Sequence, residues 1–368
     1  RHTRYGTVTG IQTCALPICP LTSDIFGAMA DRFVTQTIHD KTLDLSLRPS
    51  LFADFTGQAK VKERLELAVE AARLRRESLD HILLSGPPGL GKTTLAHILA
   101  KAMGVNVVVS SGPVIEKAGD LAGLLTKLEA GDVLFIDEIH RLQKTVEEYL
   151  YPAMEDFRLD IVIDQGPNAR SVKLALPRFT LVGATTRSGL LTAPMRSRFG
   201  LTERLDYYSA GDLAAIITRA AGILNVGIDA AGALEVAKRS RGTPRIANRL
   251  LRRVRDVAVV GGHGTVGAAL VDEALRLHRV DERGLDAADR HLLRLMLHGH
   301  GGGPVGLETL AAGLGEDPAT VEAVVEPYLL QIGFLQRTPR GRVVTEAGRR
   351  HLAAAPPTDR EGIAGAAW

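Results

Sequence analysis

The chain has 368 residues, with 45 Lys and Arg against 42 Asp and Glu and a formal net charge of +3 at pH 7. Hydrophobic residues make up 45% and charged residues 24%, which excludes a collagen-like or largely disordered chain. The sequence has no run of about 18 apolar residues, so a membrane span is excluded, and aromatic residues at 4% disfavour a surface built on base stacking.

Both cysteines, Cys14 and Cys19, lie near the start of the chain. The rest has no thiol for a disulfide or a metal site, which favours a reducing compartment, the cytoplasm. Residues 1–19 show no helical or strand period, and we predict that residues 1–28 are a foreign or disordered tail. Residues 353–368, rich in Ala, Pro and Gly, are predicted to be disordered.

Strand and helix patterns alternate through the first half of the chain, which predicts a largely parallel sheet covered by helices on both faces. The predicted strands are His81–Ser85, Val107–Ser110, Val133–Asp137 and Phe179–Ala184, with helices such as Lys60–Arg76 and Thr93–Met103 between them. The pattern then becomes helical. We predict a large α/β domain over 29–206, a small helical domain over 207–280 and a third domain over 281–352.

Residues 86–93, GPPGLGKT, fit the phosphate-binding pattern G-x-x-x-x-G-K-[ST] at every position, and they stand between a predicted strand and a predicted helix. Glycines such as Gly89 and Gly91 allow several backbone N–H groups to face one phosphate. Lys92 reaches the β- and γ-phosphates, and the Thr93 hydroxyl binds Mg²⁺. The pattern predicts an ATP site, with Thr94 beside it.

Residues 133–138, VLFIDE, read as a buried strand that ends in two carboxylates. Asp137 would hold Mg²⁺ through water, and Glu138 would orient the attacking water. An acidic pair that starts a helix is the alternative when the string is taken alone. His140, two residues later, is interpreted as structural.

An inserted β-hairpin is predicted at about 158–175, because apolar and polar residues alternate on both sides of Gly166 and Pro167. An exposed apolar hairpin needs a partner that covers it.

Hydroxyls and arginines later in the chain extend the predicted site. Thr185 and Thr186 end a strand, where a hydroxyl could sense the γ-phosphate or merely cap the strand. Arg198 is the candidate for a cation on the transferred phosphate, with a solvated arginine as the alternative. Arg245 stands in the first turn of a helix, where a cation opposes the helix dipole unless an anion is also bound there.

The C-terminal part reads as a winged helix. Two helices, Leu307–Leu314 and Pro318–Leu330, precede a hairpin formed by Gly333–Gln336 and Arg342–Thr345. The basic residues here are Arg337, Arg340, Arg342, Arg349 and Arg350, against the single acid Glu346. Phosphate contact without base readout is the natural use of this charge, and a wing that contacts protein is the alternative.

Several strings together resemble the AAA+ ATPases and, more narrowly, the RuvB family of Holliday-junction branch-migration motors. The strings are GPPGLGKTT, VLFIDEIHRL, GATTR, RSRF, RGTPRIANRLLRRVRD and, near the end, YLLQIGFLQRTPRGRV. The likeness runs from about Asp40 to Leu352. It implies a large AAA+ domain, a helical lid and a C-terminal winged helix.

The resemblance also implies residue roles. Thr185 would be sensor 1, Arg198 the arginine finger and Arg245 sensor 2. Further nucleotide contacts are implied at Leu47, Arg48, Glu155, Asp156, Phe157 and Tyr208, where packing under the lid is the alternative. The positions of Arg337 and Arg342 would bind DNA.

The family implies an ATP- and Mg²⁺-dependent translocase, a hexameric ring on duplex DNA, that acts in recombination and repair. Its hairpin would dock on RuvA, and the resolvase RuvC is a possible partner. Two other classes stay open on the residues alone. One is a DNA-binding protein that ATP merely switches, and the other is a clamp loader, which would lack the winged helix.

Overall fold

The structure is a computed structural model that describes residues 46–162 and 171–354. The chain divides into two compact units, Arg1–Arg48 and Pro49–Trp368. Only residues 46–48 of the first unit are described, so the elements of the fold belong to the second. The predictions for the tail 1–28, for residues 355–368 and for the loop between the hairpin strands lie outside the described residues.

Within the described residues, seven strands lie before Tyr207, where the pattern becomes helical. Their bounds are β1 Ile82–Ser85, β2 Val107–Ser111, β3 Val133–Asp137, β4 Arg158–Val162, β5 Ser171–Ala175, β6 Thr180–Thr185 and β7 Leu201–Arg204. Five of them form a parallel sheet in the order β2-β3-β6-β1-β7, while β4 and β5 pair antiparallel as a separate hairpin. The predicted parallel α/β fold is confirmed.

Helices cover the sheet and continue beyond it. Their bounds are α1 Ala59–Arg75, α2 Lys92–Met103, α3 Ala118–Leu125, α4 Lys144–Glu155, α5 Ala193–Ser197, α6 Ala210–Ile223, α7 Ala230–Lys238, α8 Pro244–Val260, α9 Ala268–Leu277, α10 Ala287–His300, α11 Leu307–Leu314, α12 Pro318–Thr320, α13 Glu326–Gln331 and α14 Glu346–Ala354. A π-helical turn, Val321–Val325, joins α12 to α13. No helix in the described ranges is long and apolar enough to cross a membrane.

The core of the first half is built on the central strands. Every residue of β1 and β6 is buried, as are the first four residues of β3, because helices pack on both faces of the sheet. Their carboxyl ends meet at one edge, which is where an open parallel sheet presents a ligand site. Strand β7 alternates exposed and covered positions at the sheet margin, so its sequence lacks the apolar run that marks the other strands.

The C-terminal part has its own core and the form of a winged helix, as predicted. Helices α10 to α13 pack around leucines such as Leu292 and Leu329, both fully buried. A hairpin follows them, in which β8 (Leu335–Thr338) pairs antiparallel with β9 (Gly341–Val344). The backbone of Val305 adds a bridge to Arg342 and extends this small sheet.

Candidate nucleotide-binding site

The phosphate-binding loop lies between β1 and α2 and needs glycine to approach its neighbours closely. Gly89 has φ +79°, a left-handed conformation that disfavours a side chain. A Cβ on Gly89 would also lie 2.8 Å from Thr243 Cγ2 and 2.9 Å from Arg245 Cβ. The loop therefore presents bare backbone to the start of α8, and a phosphate can approach its N–H groups at the α2 N-terminus.

Lys92 is the first residue of α2 and is only 6% exposed. Its ammonium donates to the carbonyl oxygens of Gly86 and Pro87, both at 2.8 Å. Burial lowers the Lys92 pKa, while the nearby carboxylates of Asp137 and Glu138 oppose that shift. An ammonium has three donors, so one remains for a ligand oxygen, and the buried charge fits a phosphate.

Asp137 ends β3, and Glu138 follows it in a constrained backbone conformation. Glu138 has φ +47°, which is uncommon outside glycine and costs conformational energy. The Asp137 carboxylate accepts a hydrogen bond from the Glu138 N–H at 3.0 Å, which helps to hold this turn. With Thr93 in the first turn of α2, Asp137 supplies the oxygen chemistry that Mg²⁺ prefers.

The Glu138 carboxylate is held by two groups from the sheet edge. Thr186 Oγ1 donates to Glu138 Oε2 at 3.0 Å, and His140 Nδ1 lies 3.2 Å from the same oxygen. Thr185 is fully buried, and its hydroxyl lies 2.9 Å from His140 Nδ1. Burial lowers the pKa of His140, which favours its neutral form. Thr186 thus contacts the catalytic candidate directly, whereas Thr185, singled out from the sequence, is one residue removed from it.

The helical part of the chain reaches the loop through two predicted residues. The Arg245 N–H donates to the Gly89 carbonyl at 3.4 Å, and its guanidinium raises the positive potential around Lys92. Tyr208 is 8% exposed and donates from its hydroxyl to the Leu90 carbonyl at 3.0 Å. Burial raises the pKa of Tyr208, so the phenol stays neutral.

The start of α8 has no side-chain cap. Thr243 occupies the N-cap position, but its hydroxyl donates to the Arg241 carbonyl and caps no N–H. Pro244 has no N–H to offer, and the next N–H, of Arg245, is engaged with Gly89.

A second cluster holds the remaining predicted residues of the large domain. The Arg198 guanidinium forms an ion pair with Glu155 at 3.2 Å. Asp156 pairs with Arg158 at 3.1 Å, and Phe157 packs edge-on against Phe179 with ring centroids 5.9 Å apart. The cluster therefore gathers residues from the end of α4 and the end of α5. Leu47 and Arg48, in the first unit, stay predictions.

The two arginines predicted to bind DNA face each other across the wing. Arg337 and Arg342 are cross-strand partners on β8 and β9. Each donates through Nε and Nη2 to the carboxylate of Glu326, at 2.7 and 3.0 Å for Arg337 and at 3.0 and 3.2 Å for Arg342. Half of the Arg337 side chain is exposed, against 16% for Arg342 and 1% for Glu326.

Glu326 was not found from the sequence, because it lies on a helix and meets the arginines only through the tertiary fold. Burial is the largest single influence and raises its pKa, but the hydrogen bonds and charges of both arginines outweigh it, so the Glu326 pKa lies below its usual value. The carboxylate is thus charged at neutral pH. It offsets part of the positive charge that the sequence places on the wing.

Three family models match consecutive parts of the chain. They are the Holliday junction DNA helicase RuvB P-loop domain over residues 47–205, the RuvB AAA lid domain over 208–281 and the RuvB C-terminal winged helix domain over 282–353. Together they cover the described residues from the sheet to the last helix.

Similar proteins are also described as RuvB. The chain is 64% identical over 307 residues to the Holliday junction branch migration complex subunit RuvB of Prochlorococcus marinus strain MIT 9303, covering 83% of this chain and 87% of that protein, and the same values hold for strain MIT 9313. It also matches the structure of the Thermotoga maritima RuvB Holliday junction branch migration motor, with a TM-score of 0.77, 53% identity and coverage of 85% of this chain and 100% of that one.

Proposed function

The chain belongs to the RuvB family of Holliday-junction branch-migration motors, and from this premise we propose how its residues turn ATP hydrolysis into DNA movement. It is an ATP-driven motor of branch migration in homologous recombination and repair. Because the lid and the winged helix are both present, the clamp-loader alternative does not fit.

ATP binds at the loop between β1 and α2. The N–H groups around Gly89 and Gly91 cradle the phosphates, and Lys92 donates to a phosphate oxygen through the donor that its two carbonyl bonds leave available. Thr93 and Asp137 would hold Mg²⁺, which neutralises charge on the phosphates. Tyr208 and Arg245 close the pocket from the lid side, since both already contact the loop.

Hydrolysis depends on Glu138, which orients water for attack on the γ-phosphate. Its left-handed backbone and its hydrogen bond from Thr186 fix where the carboxylate stands before nucleotide arrives. Thr185 stays the proposed sensor 1 and acts through His140, and we add Thr186 to this role because it contacts Glu138 directly.

Arg198 acts on the ATP of a neighbouring subunit. Within the described chain its guanidinium bonds to Pro194 and Glu155 in the second cluster, whereas Lys92 begins α2 and Glu138 follows β3. A cation supplied from a neighbour accelerates phosphoryl transfer by stabilising the charge that develops. We propose a hexameric ring, in which each pocket is completed by the next subunit.

The winged helix grips duplex DNA through its phosphates. Arg337 and Arg342 are the proposed contacts, and Arg337, with half of its side chain exposed, is the more accessible of the two. Contacts of arginine with phosphate oxygens carry no base information, so binding is independent of sequence, as a translocating motor requires.

RuvA is the proposed partner that places the ring on the junction. The proposed RuvA contact is the hairpin of β4 and β5, which forms a two-stranded sheet of its own. RuvC is proposed as a further component of the same assembly, and the cytoplasm as the compartment.

The placement of Lys92 at the start of α2 and of Asp137 and Glu138 at the end of β3, all at the carboxyl edge of the parallel sheet, carries the proposal. It is tested by branch migration of a synthetic four-way junction with ATP, Mg²⁺ and added RuvA. The chain should convert the junction into duplex products with ATP but not with ADP, and Lys92→Ala should give none. Equal product formation by Lys92→Ala would contradict the proposal.

A further inference from the structure

The Arg198 side chain, at the end of a short helix, contacts a backbone carbonyl, a carboxylate and an aromatic ring. It follows α5 as the C-cap residue, and 20% of its side chain is exposed. Its Nη1 donates to the Pro194 carbonyl at 2.7 Å. The guanidinium carbon lies 4.3 Å from the centroid of the Tyr151 ring, which is the geometry of a cation–π contact.

Tyr151 is held in place by a polar network beneath it. Its hydroxyl donates to Glu147 Oε2 at 3.0 Å and lies 3.2 Å from Thr192 Oγ1. Thr192 donates to the same oxygen of Glu147 at 3.0 Å, and it also caps α5 by accepting the Met195 N–H. Glu147 is 4% exposed, so this network is shielded from competing water.

One face of α4 supplies the residues of this platform. Glu147, Tyr151 and Glu155 are spaced four residues apart, so they stack along one side of the helix. Glu147 accepts the hydrogen bond of the Tyr151 hydroxyl. The Tyr151 ring lies against the Arg198 guanidinium, and Glu155 forms an ion pair with that guanidinium. Helix α4 therefore sets the position of the short helix that carries Arg198.

We infer that Tyr151 is a positioning residue for ATP hydrolysis, which holds the Arg198 guanidinium where the phosphate of a neighbouring subunit can receive it. The inference rests on the proposed role of Arg198 in trans. The ring attracts the cation without neutralising it, so the charge remains available to phosphate. Glu155, in contrast, is 55% exposed and is a counter-ion that phosphate can displace.

The test is steady-state ATP hydrolysis by the full chain on circular duplex DNA. Tyr151→Leu should lower kcat about tenfold, which is about 1.4 kcal/mol of transition-state stabilisation, with KM for ATP within about twofold. Tyr151→Phe keeps the ring face and should retain most of the rate. A Tyr151→Leu chain with wild-type kcat would overturn the inference, and so would equal losses for both variants.

Subunit mixing separates positioning from general structural damage. Lys92→Ala chains cannot use ATP but still offer Arg198, so adding them should raise turnover at the pockets of Tyr151→Leu chains. Chains carrying both Lys92→Ala and Arg198→Ala should not raise the turnover of Tyr151→Leu chains, because they offer no Arg198. Absence of rescue by Lys92→Ala would overturn the inference.

Two controls make the result interpretable. If Tyr151→Leu does not fold, Tyr151→Met fills the same space without a ring and takes its place in the measurements. If Arg198→Ala hydrolyses ATP at the wild-type rate, the proposed role of Arg198 fails and the inference falls with it. If Arg198→Ala is inactive but Tyr151→Leu is not, only the inference fails.

Discussion

Replacing Glu326 by Gln should lower the free energy that is needed to open the hairpin of the winged helix. The carboxylate is 1% exposed and accepts four hydrogen bonds from Arg337 and Arg342. In the variant, one carboxylate oxygen becomes an amide donor that faces two guanidinium groups. Both cations then lose the charge that compensates them.

The two ion pairs contribute unequally. Breaking a buried pair by removing one partner costs about 3–5 kcal/mol, and the low end suits Arg342, with 16% of its side chain exposed. Arg337 is half exposed, so solvent screening reduces its part to about 0.5 kcal/mol. The expected loss is therefore about 3.5 kcal/mol in the free energy of opening this domain.

Hydrogen exchange of the full chain measures this loss at one site. The Arg342 N–H donates to the Val305 carbonyl at 2.8 Å, and its exchange should accelerate roughly 300-fold in Glu326→Gln. Glu322→Gln is the matched control, because Glu322 lies on the same helical stretch and contacts Arg337 at 3.5 Å, yet is 34% exposed. That control should change exchange by about fivefold or less. Equal effects of the two variants would refute the reasoning.

Three further outcomes are expected. Glu138→Gln should bind labelled ATP as tightly as the unaltered chain but release phosphate at least about 100-fold more slowly, and fast turnover would contradict its role. Arg337→Ala and Arg342→Ala should each lower the magnitude of the salt slope of DNA binding by about one, and an unchanged slope would remove that arginine from the interface. Burial lowers the pKa of His81, and its Nδ1 accepts the Leu181 N–H at 2.9 Å, so the ring is neutral in the folded chain. Below about pH 6.5 the unfolded chain binds a proton at this histidine that the folded chain does not bind. The free energy of unfolding should therefore fall as the pH drops. His81→Gln should lose this part of the pH dependence, and a difference between the two proteins that is constant from pH 7 to 5 would exclude it.

The nucleotide site was predictable because its chemistry is written in short, contiguous strings. Residues 86–93 contain the glycines of the turn, the start of α2 and the Lys92 ammonium. Residues 133–138 contain a buried strand that ends in two acids. Neither depends on a distant contact to take shape. Both therefore stand at the sheet edge where the sequence predicts them.

Features that depend on tertiary contacts could not be predicted in the same way. Which of Thr185 and Thr186 contacts Glu138 depends on how the chain turns directly after β6, which ends at Thr185. Glu326 meets its arginines 11 and 16 residues away through the packing of a helix on a hairpin. Strand β7 is short and polar, so only the parallel pairing with β1 identifies it as a strand.

Mixed rings of Arg198→Ala and Glu138→Gln chains test most directly whether each ATP pocket is shared by two subunits. Each variant alone should hydrolyse ATP very slowly on circular duplex DNA, because one lacks the donated cation and the other lacks the glutamate. Together they should recover turnover, since an intact Glu138 can meet an intact Arg198 of the adjacent chain. A mixture that stays inactive at every ratio, while each variant still assembles on DNA, would contradict a shared pocket.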